Sequence, residues 1–242
     1  ETQRQLSYLD IFKFVNVNYD TTGGQFIASI FTSPLKKYQT STETGLSVFE
    51  DQGFPGPFFN LTVKGRNIFG GLEIVQFDGN ASIQGIQGVT DDGSDDVNNF
   101  NYSRLQYGAT LTFTFPQFIF PLNERLRNHM GRFNPRTKII GGINFENRIQ
   151  EYERNTVNTS MSYIWQVEDE AQYTFTPFDA SYIFSDPLES FKEDLIATGN
   201  QSLIALFNPS FVVFSSFSAR FNHGNYGVGN NNSHFIQTSL ES

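Results

Sequence analysis

The sequence predicts a mainly β protein, a transmembrane antiparallel β-barrel entered through a short α+β module. Three observations lead there. Apolar and polar residues alternate strictly, run after run, over most of the chain. The runs are about nine to twelve residues long; a tilted membrane strand needs about nine to eleven, whereas an ordinary globular strand averages five or six. The polar positions hold Gln, Thr, Ser, Asn and Gly more than Lys and Glu, as suits a crowded wet lumen better than bulk solvent.

Composition agrees. Phe occurs 27 times in 242 residues, against two Met and one Trp, so the apolar surface is mostly ring. Rings combined with Asn, Gln, Ser, Thr and Gly favour strands and turns over helices. Cys is absent, which excludes a disulfide framework and a thiolate metal site. A net charge of −9 argues against a nucleic-acid-binding face. No apolar run approaches the roughly 20 residues of a membrane helix. A negative mean hydropathy is compatible with a barrel, because every second residue is given to the lumen. The chain opens at Glu1 without Met or signal peptide and stops at Ser242 within a strand-like stretch, so both ends are expected to be cut.

The elements follow in order. Residues 1–11 read as a short helix with Leu6 and Leu9 on one side. Phe12 to Tyr19 alternates as a strand, Thr21-Thr22-Gly23-Gly24 is a turn, and Gln25 to Thr32 is a second strand closed by Pro34. This piece is too small to stand alone and reads as part of an α+β module over residues 1–38. From there to residue 242 long strands dominate. The first is expected at about Glu43–Glu50. In Gly56–Arg66 the apolar row is Phe59, Leu61 and Val63; in Glu73–Gly85 it is Val75, Phe77, Ala81 and Ile83. Leu105, Tyr107, Leu111, Phe113 and Phe115 form the row of Arg104–Phe115. Ile143 and Phe145 belong to Lys138–Arg148, and Tyr163 and Trp165 to the next row. These nine side chains are predicted to face lipid. Tyr173 and Phe175 open a further strand, Phe211 to Phe221 gives the last clear one, and His234 to Ser242 is weak. About nine barrel strands result.

Connections are expected to be short at one rim and long at the other. Ile68–Gly71 and Glu168–Glu170 read as tight turns; Asp91–Asp96 is a long acidic loop; residues 186–208 form a long connection with a short helix. Pro121–Pro135 is the exception, a basic link carrying Arg125, Arg127 and Arg132 where a short turn is expected. His129, His223 and His234 sit on separate segments, so no metal site is expected. No Ser/His constellation of an activated nucleophile is recognisable, so no catalytic residue is assigned. No cofactor is expected.

Leu6-Ser7-Tyr8-Leu9-Asp10-Ile11-Phe12-Lys13-Phe14-Val15-Asn16-Val17 resembles the end of a POTRA module, the periplasmic repeat of the BamA/TamA assembly barrels. Arg66-Asn67-Ile68-Phe69-Gly70-Gly71-Leu72-Glu73 is similar to the turn between the second and third barrel strands of that family. Phe133-Asn134-Pro135-Arg136-Thr137, then Arg148, Tyr152 and Arg154, then Ser162-Tyr163-Ile164-Trp165, look like the Bacteroidota branch often termed TamL, as does Phe175-Thr176-Pro177-Phe178-Asp179. The likeness spans nearly the whole chain and rests on order and spacing. The family's late Arg-Gly-Phe loop motif has no counterpart here, and its barrels have sixteen strands, of which this chain would supply the N-terminal part.

The resemblance implies a bacterial outer-membrane insertion factor rather than an enzyme. Its partners would be outer-membrane lipids, nascent outer-membrane proteins and periplasmic or outer-membrane assembly subunits. A weakly closed seam would expose one strand's N–H and C=O groups, and a client strand would pair there by β-augmentation. The expected edge is the first barrel strand at Thr44, Gly45, Leu46, Ser47, Val48 and Phe49, short and rich in small polar residues. Arg66, Asn67, Phe69, Gly70, Gly71 and Glu73 would form the family turn. The alternative is an outer-membrane diffusion channel or transporter barrel, which has no need of residues 1–38.

Overall fold

A helix and a hairpin lead the chain into one large sheet. The computed structural model describes residues 2–21, 26–47, 55–87, 100–120, 123, 125, 129–149, 151–167, 171–197, 199, 204–223 and 234–241. Helix α1 (Thr2–Ser7) is shorter than residues 1–11 promised. Past a turn at Tyr8 and Leu9, Asp10 adopts a left-handed backbone (φ 52°), which Asp tolerates better than most residues because its side chain bonds locally. Strands β1 (Phe12–Asp20) and β2 (Ile27–Pro34) pair antiparallel as a separate hairpin. Ile11 and Val15 are buried there, and Gln3 Nε2 donates to the Val15 carbonyl at 2.9 Å.

The second sheet holds nine antiparallel strands in strict chain order: β3 (Tyr38–Ser47), β4 (Gly56–Arg66), β5 (Ile74–Gln87), β6 (Phe100–Phe115), β7 (Arg136–Arg148), β8 (Tyr152–Val167), β9 (Ala171–Pro187), β10 (Ser210–His223) and β11 (His234–Glu241). Among the described residues each pairs only with its chain neighbours, and β3 and β11 are the two edges. The first strand therefore begins five residues before the expected Glu43 and ends at Ser47. Its register starts at Tyr38 opposite Gly65 and alternates cleanly through Gln39 and Ser41. Val48 and Phe49, expected on this strand, lie outside the described residues, as do Asp91–Asp96 and Glu168–Glu170.

The central strands are longer than foreseen: β8 has 16 residues and β9 has 17. They run past the end of the apolar row, where Asn147, Glu153 and Asp186 stand side by side across β7, β8 and β9. Rims also differ from expectation. The rim beside the helix and hairpin, the module rim, carries the compact 67–73 turn but also the long 116–135 link. The distal rim carries the long 188–209 connection but also the tight turn 149–151, where Glu151 N–H donates to the Arg148 carbonyl at 3.0 Å. Short and long connections thus do not sort by rim.

Burial is inverted relative to a soluble fold. Among the described residues the buried apolar side chains are Ile11, Val15, Tyr152 and Ala219 alone; the buried polar ones are Arg66, Glu73, Thr137, Glu146, Ser160, Thr176 and Ser185. A stretch of chain this long ordinarily buries a Leu/Ile/Val/Phe core. Among the described residues no helix is long and apolar enough to cross a membrane, and strands are outside that test.

Candidate functional site

Register assigns every side chain of the sheet to one of two faces, because directly opposite residues share a face. Across β4 to β8, Val63, Phe77, Leu111, Gly141 and Thr159 form one row; Ala81, Tyr107, Phe145 and Asn155 form another. Leu105, Tyr107, Leu111, Phe113, Phe115, Ile143, Phe145, Tyr163 and Trp165, the nine residues predicted as lipid-facing, all fall on this apolar face. Its side chains find few protein neighbours: Leu105, Tyr107, Leu111 and Ile143 are exposed. Rings gather near the module rim, where Trp165 stacks on Tyr173 at 5.5 Å and Tyr173 meets Phe217 at 6.3 Å.

The other face is polar and tightly filled. Thr62 Oγ1 donates to Asp78 Oδ1 at 2.7 Å, and Gln76 Nε2 donates to both Asp78 oxygens at 3.0 and 2.9 Å. At Gly142 a Cβ would stand 2.7 Å from Asn158 Oδ1, so any side chain there would push that amide aside. Nearer the distal rim Glu146 gathers Arg104 (2.8 Å), Arg148 (3.3 Å) and the Tyr152 hydroxyl (3.3 Å). Helix α2 (Glu189–Ala197) and residues 204–208 close over this end. Phe207 meets Tyr152 edge-on at 5.2 Å, Phe191 meets Phe207 at 5.5 Å, and the Arg154 guanidinium lies 4.9 Å from the Tyr152 ring centre. The sequence indicated the helix but not where it would fold.

Strand β3 carries four of the six expected seam residues, Thr44, Gly45, Leu46 and Ser47. Its backbone pairs with β4 from Tyr38–Gly65 to Ser47–Gly56, and its other side is an edge. Thr40, Thr42 and Thr44 stand opposite Val63, Leu61 and Phe59, so three hydroxyls occupy apolar-face positions. On the polar face Asn60 Nδ2 donates to Glu43 Oε2 at 3.3 Å. Among the described residues no strand pairs with the free side of β3, so its outward N–H and C=O groups are open to pairing.

Arg66 anchors the strand to the α1–hairpin module. The guanidinium is 5% exposed. Nε donates to the Asp10 carbonyl at 2.7 Å, Nη1 to the Lys36 carbonyl at 3.4 Å and Nη2 to Gln39 Oε1 at 2.9 Å; Asp10 Oδ2 lies 3.6 Å away. Lys64 Nζ reaches the same carboxylate at 3.2 Å. Asp10, whose left-handed backbone turns both its carbonyl and its carboxylate to this cation, was not anticipated. On sequence Asp10 falls inside the helix over residues 1–11, so nothing marks it as a turn residue. A second contact is looser: Gln5 Nε2 lies 3.4 Å from the carbonyls of Gly131 and Arg132.

The turn after Arg66 organises itself around Glu73, which is 1% exposed. Its carboxylate accepts the N–H groups of Phe69 and of Gly71 (2.8 Å), while Asn67 Oδ1 accepts the Leu72 N–H at 3.0 Å. Asn67, Gly70 and Leu72 all have positive φ. Burial works to raise the Glu73 carboxyl pKa, but the N–H donors of Phe69, Gly71 and their neighbours outweigh it and hold the group below the ordinary carboxylate value. Arg66 and Glu73, at the two ends of the turn, serve different tasks: one grips the module and the other shapes the loop. Phe69 is left 74% exposed at the tip. Among the described residues no cluster of His, Cys, Asp or Glu has the arrangement of a metal site.

No protein-family model matches the chain, and no curated protein matches it in sequence.

Proposed function

We propose that this chain is part of an outer-membrane β-barrel of the BamA/TamA type, which templates client β-strands at a seam edged by β3. The observation that carries the membrane half of this reading is the inverted burial: an apolar face with no core to cover it, backed by a packed polar face. On β8 the apolar row from Val157 to Val167 is about 33 Å long at about 3.3 Å per residue. A tilt of about 45° brings it to about 23 Å along the membrane normal, close to the roughly 25 Å band of such barrels. Ring stacking near the module rim fits an interfacial girdle.

The insertion half rests on β3. In lipid an unpaired strand edge is costly, because nothing there replaces the lost hydrogen bonds. A seam closed by a short, Thr-rich strand is the cheapest place to open, and an entering hairpin would satisfy both edges as it pairs. The module held by Arg66 would sit on the periplasmic side and present clients to that edge. A diffusion channel would share the sheet but leaves this docked module without a task.

Two experiments test the halves separately. Heat-modifiable migration after detergent extraction is expected for a membrane barrel; an unshifted band would place the chain among soluble β-proteins. A photo-crosslinker at Ser47 or Val48 should capture client strands in intact cells, and crosslinks that appear elsewhere but never there would overturn the seam.

A further inference from the structure

Strand β3 carries a single charge. Between Tyr38 and Ser47 the one charged side chain is Glu43, exposed on the polar face. Asn60 Nδ2 reaches its Oε2 at 3.3 Å, but a neutral amide leaves the charge uncompensated. The row behind it offers no cation: Asn60, Asn80, Gly108, Asn144 and Thr156 stand in line across β4 to β8. The two cations of β4, Lys64 and Arg66, both turn to Asp10. Among the described residues Glu43 thus has no ion-pair partner, and it stands on a strand whose outer side is open.

Two residues on, Gly45 marks the same face. It lies opposite Phe58, and a Cβ on it would stand 2.9 Å from Phe58 Cε1. The Phe58 ring therefore lies over β3 itself, in the place of the missing side chain. A strand added to the open side brings one residue opposite Glu43 and another opposite Gly45, both on the polar face. If the added strand continues the antiparallel order, the residue opposite Gly45 comes two positions before the residue opposite Glu43.

We propose that β3 selects client strands with an aromatic-x-Lys/Arg sequence on their polar face, the basic residue paired with Glu43 and the ring laid against Phe58 over Gly45. The inference rests on the seam reading above. A charge on an edge strand ordinarily discourages strand addition. Here an acid opposite Glu43 is repelled and an apolar residue strips water from the carboxylate, whereas a cation turns the cost into a gain. Ring against ring adds a second preference at the neighbouring position. A second copy of this chain does not match, because its edge strands β3 and β11 hold no Lys or Arg.

The chain has no Cys, so a single Thr44→Cys reports the register. The full chain in detergent micelles is offered ten-residue alternating peptides with Tyr-Cys-Lys, Tyr-Cys-Gln or Tyr-Cys-Glu at the centre, the peptide cysteine carried as an activated disulfide. In the proposed register that cysteine faces position 44. The Lys peptide should be trapped about threefold faster than the Gln peptide, and the Glu peptide about threefold slower. High salt should compress this order, and Glu43→Lys should invert it. Replacing the peptide Tyr by Ala should slow trapping about twofold. Equal trapping of the three peptides overturns the selection and leaves the seam standing. The same order at Thr40→Cys, out of register with Glu43, also overturns it, because the preference would then belong to the peptides. If Glu43→Lys does not fold, the order on the Thr44→Cys chain and its loss in salt decide. No trapping of any peptide at Thr44→Cys overturns the seam reading beneath the proposal.

Discussion

Strands β3 and β8 belong to one sheet but are held very differently. β8 has 16 residues, partners on both sides, and Val157, Met161, Tyr163 and Trp165 on its apolar face, with Trp165 stacked on the next strand. β3 has 10 residues, a partner on one side, and Thr40, Thr42 and Thr44 where β8 has bulky side chains. Cross-strand contacts of rings and branched residues are the unit of sheet stability, and hydroxyls opposite Val63, Leu61 and Phe59 forgo much of that gain. Grip therefore declines from the middle of the sheet to its first strand, where the proposed work is done. The module is fastened to that same weak end through Arg66, which stands at the end of β4 and also reaches Gln39 at the start of β3.

The largest effect should come from charging the strongly held strand. Met161→Arg places a guanidinium on the apolar face of β8 and is expected to cost about 2–4 kcal/mol in urea unfolding from vesicles. Gln166→Arg, on the polar face of the same strand, should cost about 0.5 kcal/mol or less. Equal costs would erase the distinction between the faces. Next, Arg66→Ala strands the Asp10 and Lys36 carbonyls and should cost about 1.5–3 kcal/mol of local stability. Its readout is faster tryptic cleavage at Lys36 and Lys37 while β8 stays protected.

Acid should loosen the turn between β4 and β5 before it touches β8. The Glu73 pKa is lower in the folded protein than in the unfolded chain. Its contribution is therefore complete above the unfolded value of about 4.3 and is lost as pH falls through the lower folded value. Amide exchange at Phe69 and Gly71 should accelerate in that range, and Glu73→Gln, which turns a donor toward donors, should make it fast at neutral pH. No change on acidification would mean the carboxylate does not hold the turn. The smallest effect is also the most informative about the seam. Replacing Thr40, Thr42 and Thr44 by Val should add about 0.2–1 kcal/mol per pair. Slower amide exchange along β3 with fewer client crosslinks at Ser47 is expected; unchanged crosslinking would show that side-chain grip does not govern the edge.

Much of this was legible because period-2 alternation is local. It identified the faces of β4 to β8 and the approximate strand count. Starts and ends were harder. β3 was read late because Gln39, Ser41 and Thr42 give no apolar rhythm; only pairing with β4 reveals the strand. The overrun of β8 and β9 beyond their apolar rows has the same cause, since polar residues on both faces leave no alternation to read. The Asp10–Arg66 clamp joins residues far apart in sequence, and the folding of Phe191 and Phe207 onto Tyr152 depends on a helix crossing a face. Neither leaves a periodic trace. Thr137 was invisible for another reason: its place in the strand is ordinary, and its hydrogen bonds go to Gln117 and Ile119 in the link after β6.

Strict neighbour pairing from β3 to β11 has a consequence for how such a sheet is built and altered. From β3 to β11 every ladder among the described residues joins consecutive strands, so this sheet is able to grow hairpin by hairpin from any starting pair. Each added hairpin inherits the register of the strand before it and passes on a fresh edge. Lengthening or shortening the sheet by whole hairpins therefore leaves the remaining registers and faces as they are, while a single inserted strand would reverse the direction of everything after it. Size in this architecture is quantised in pairs.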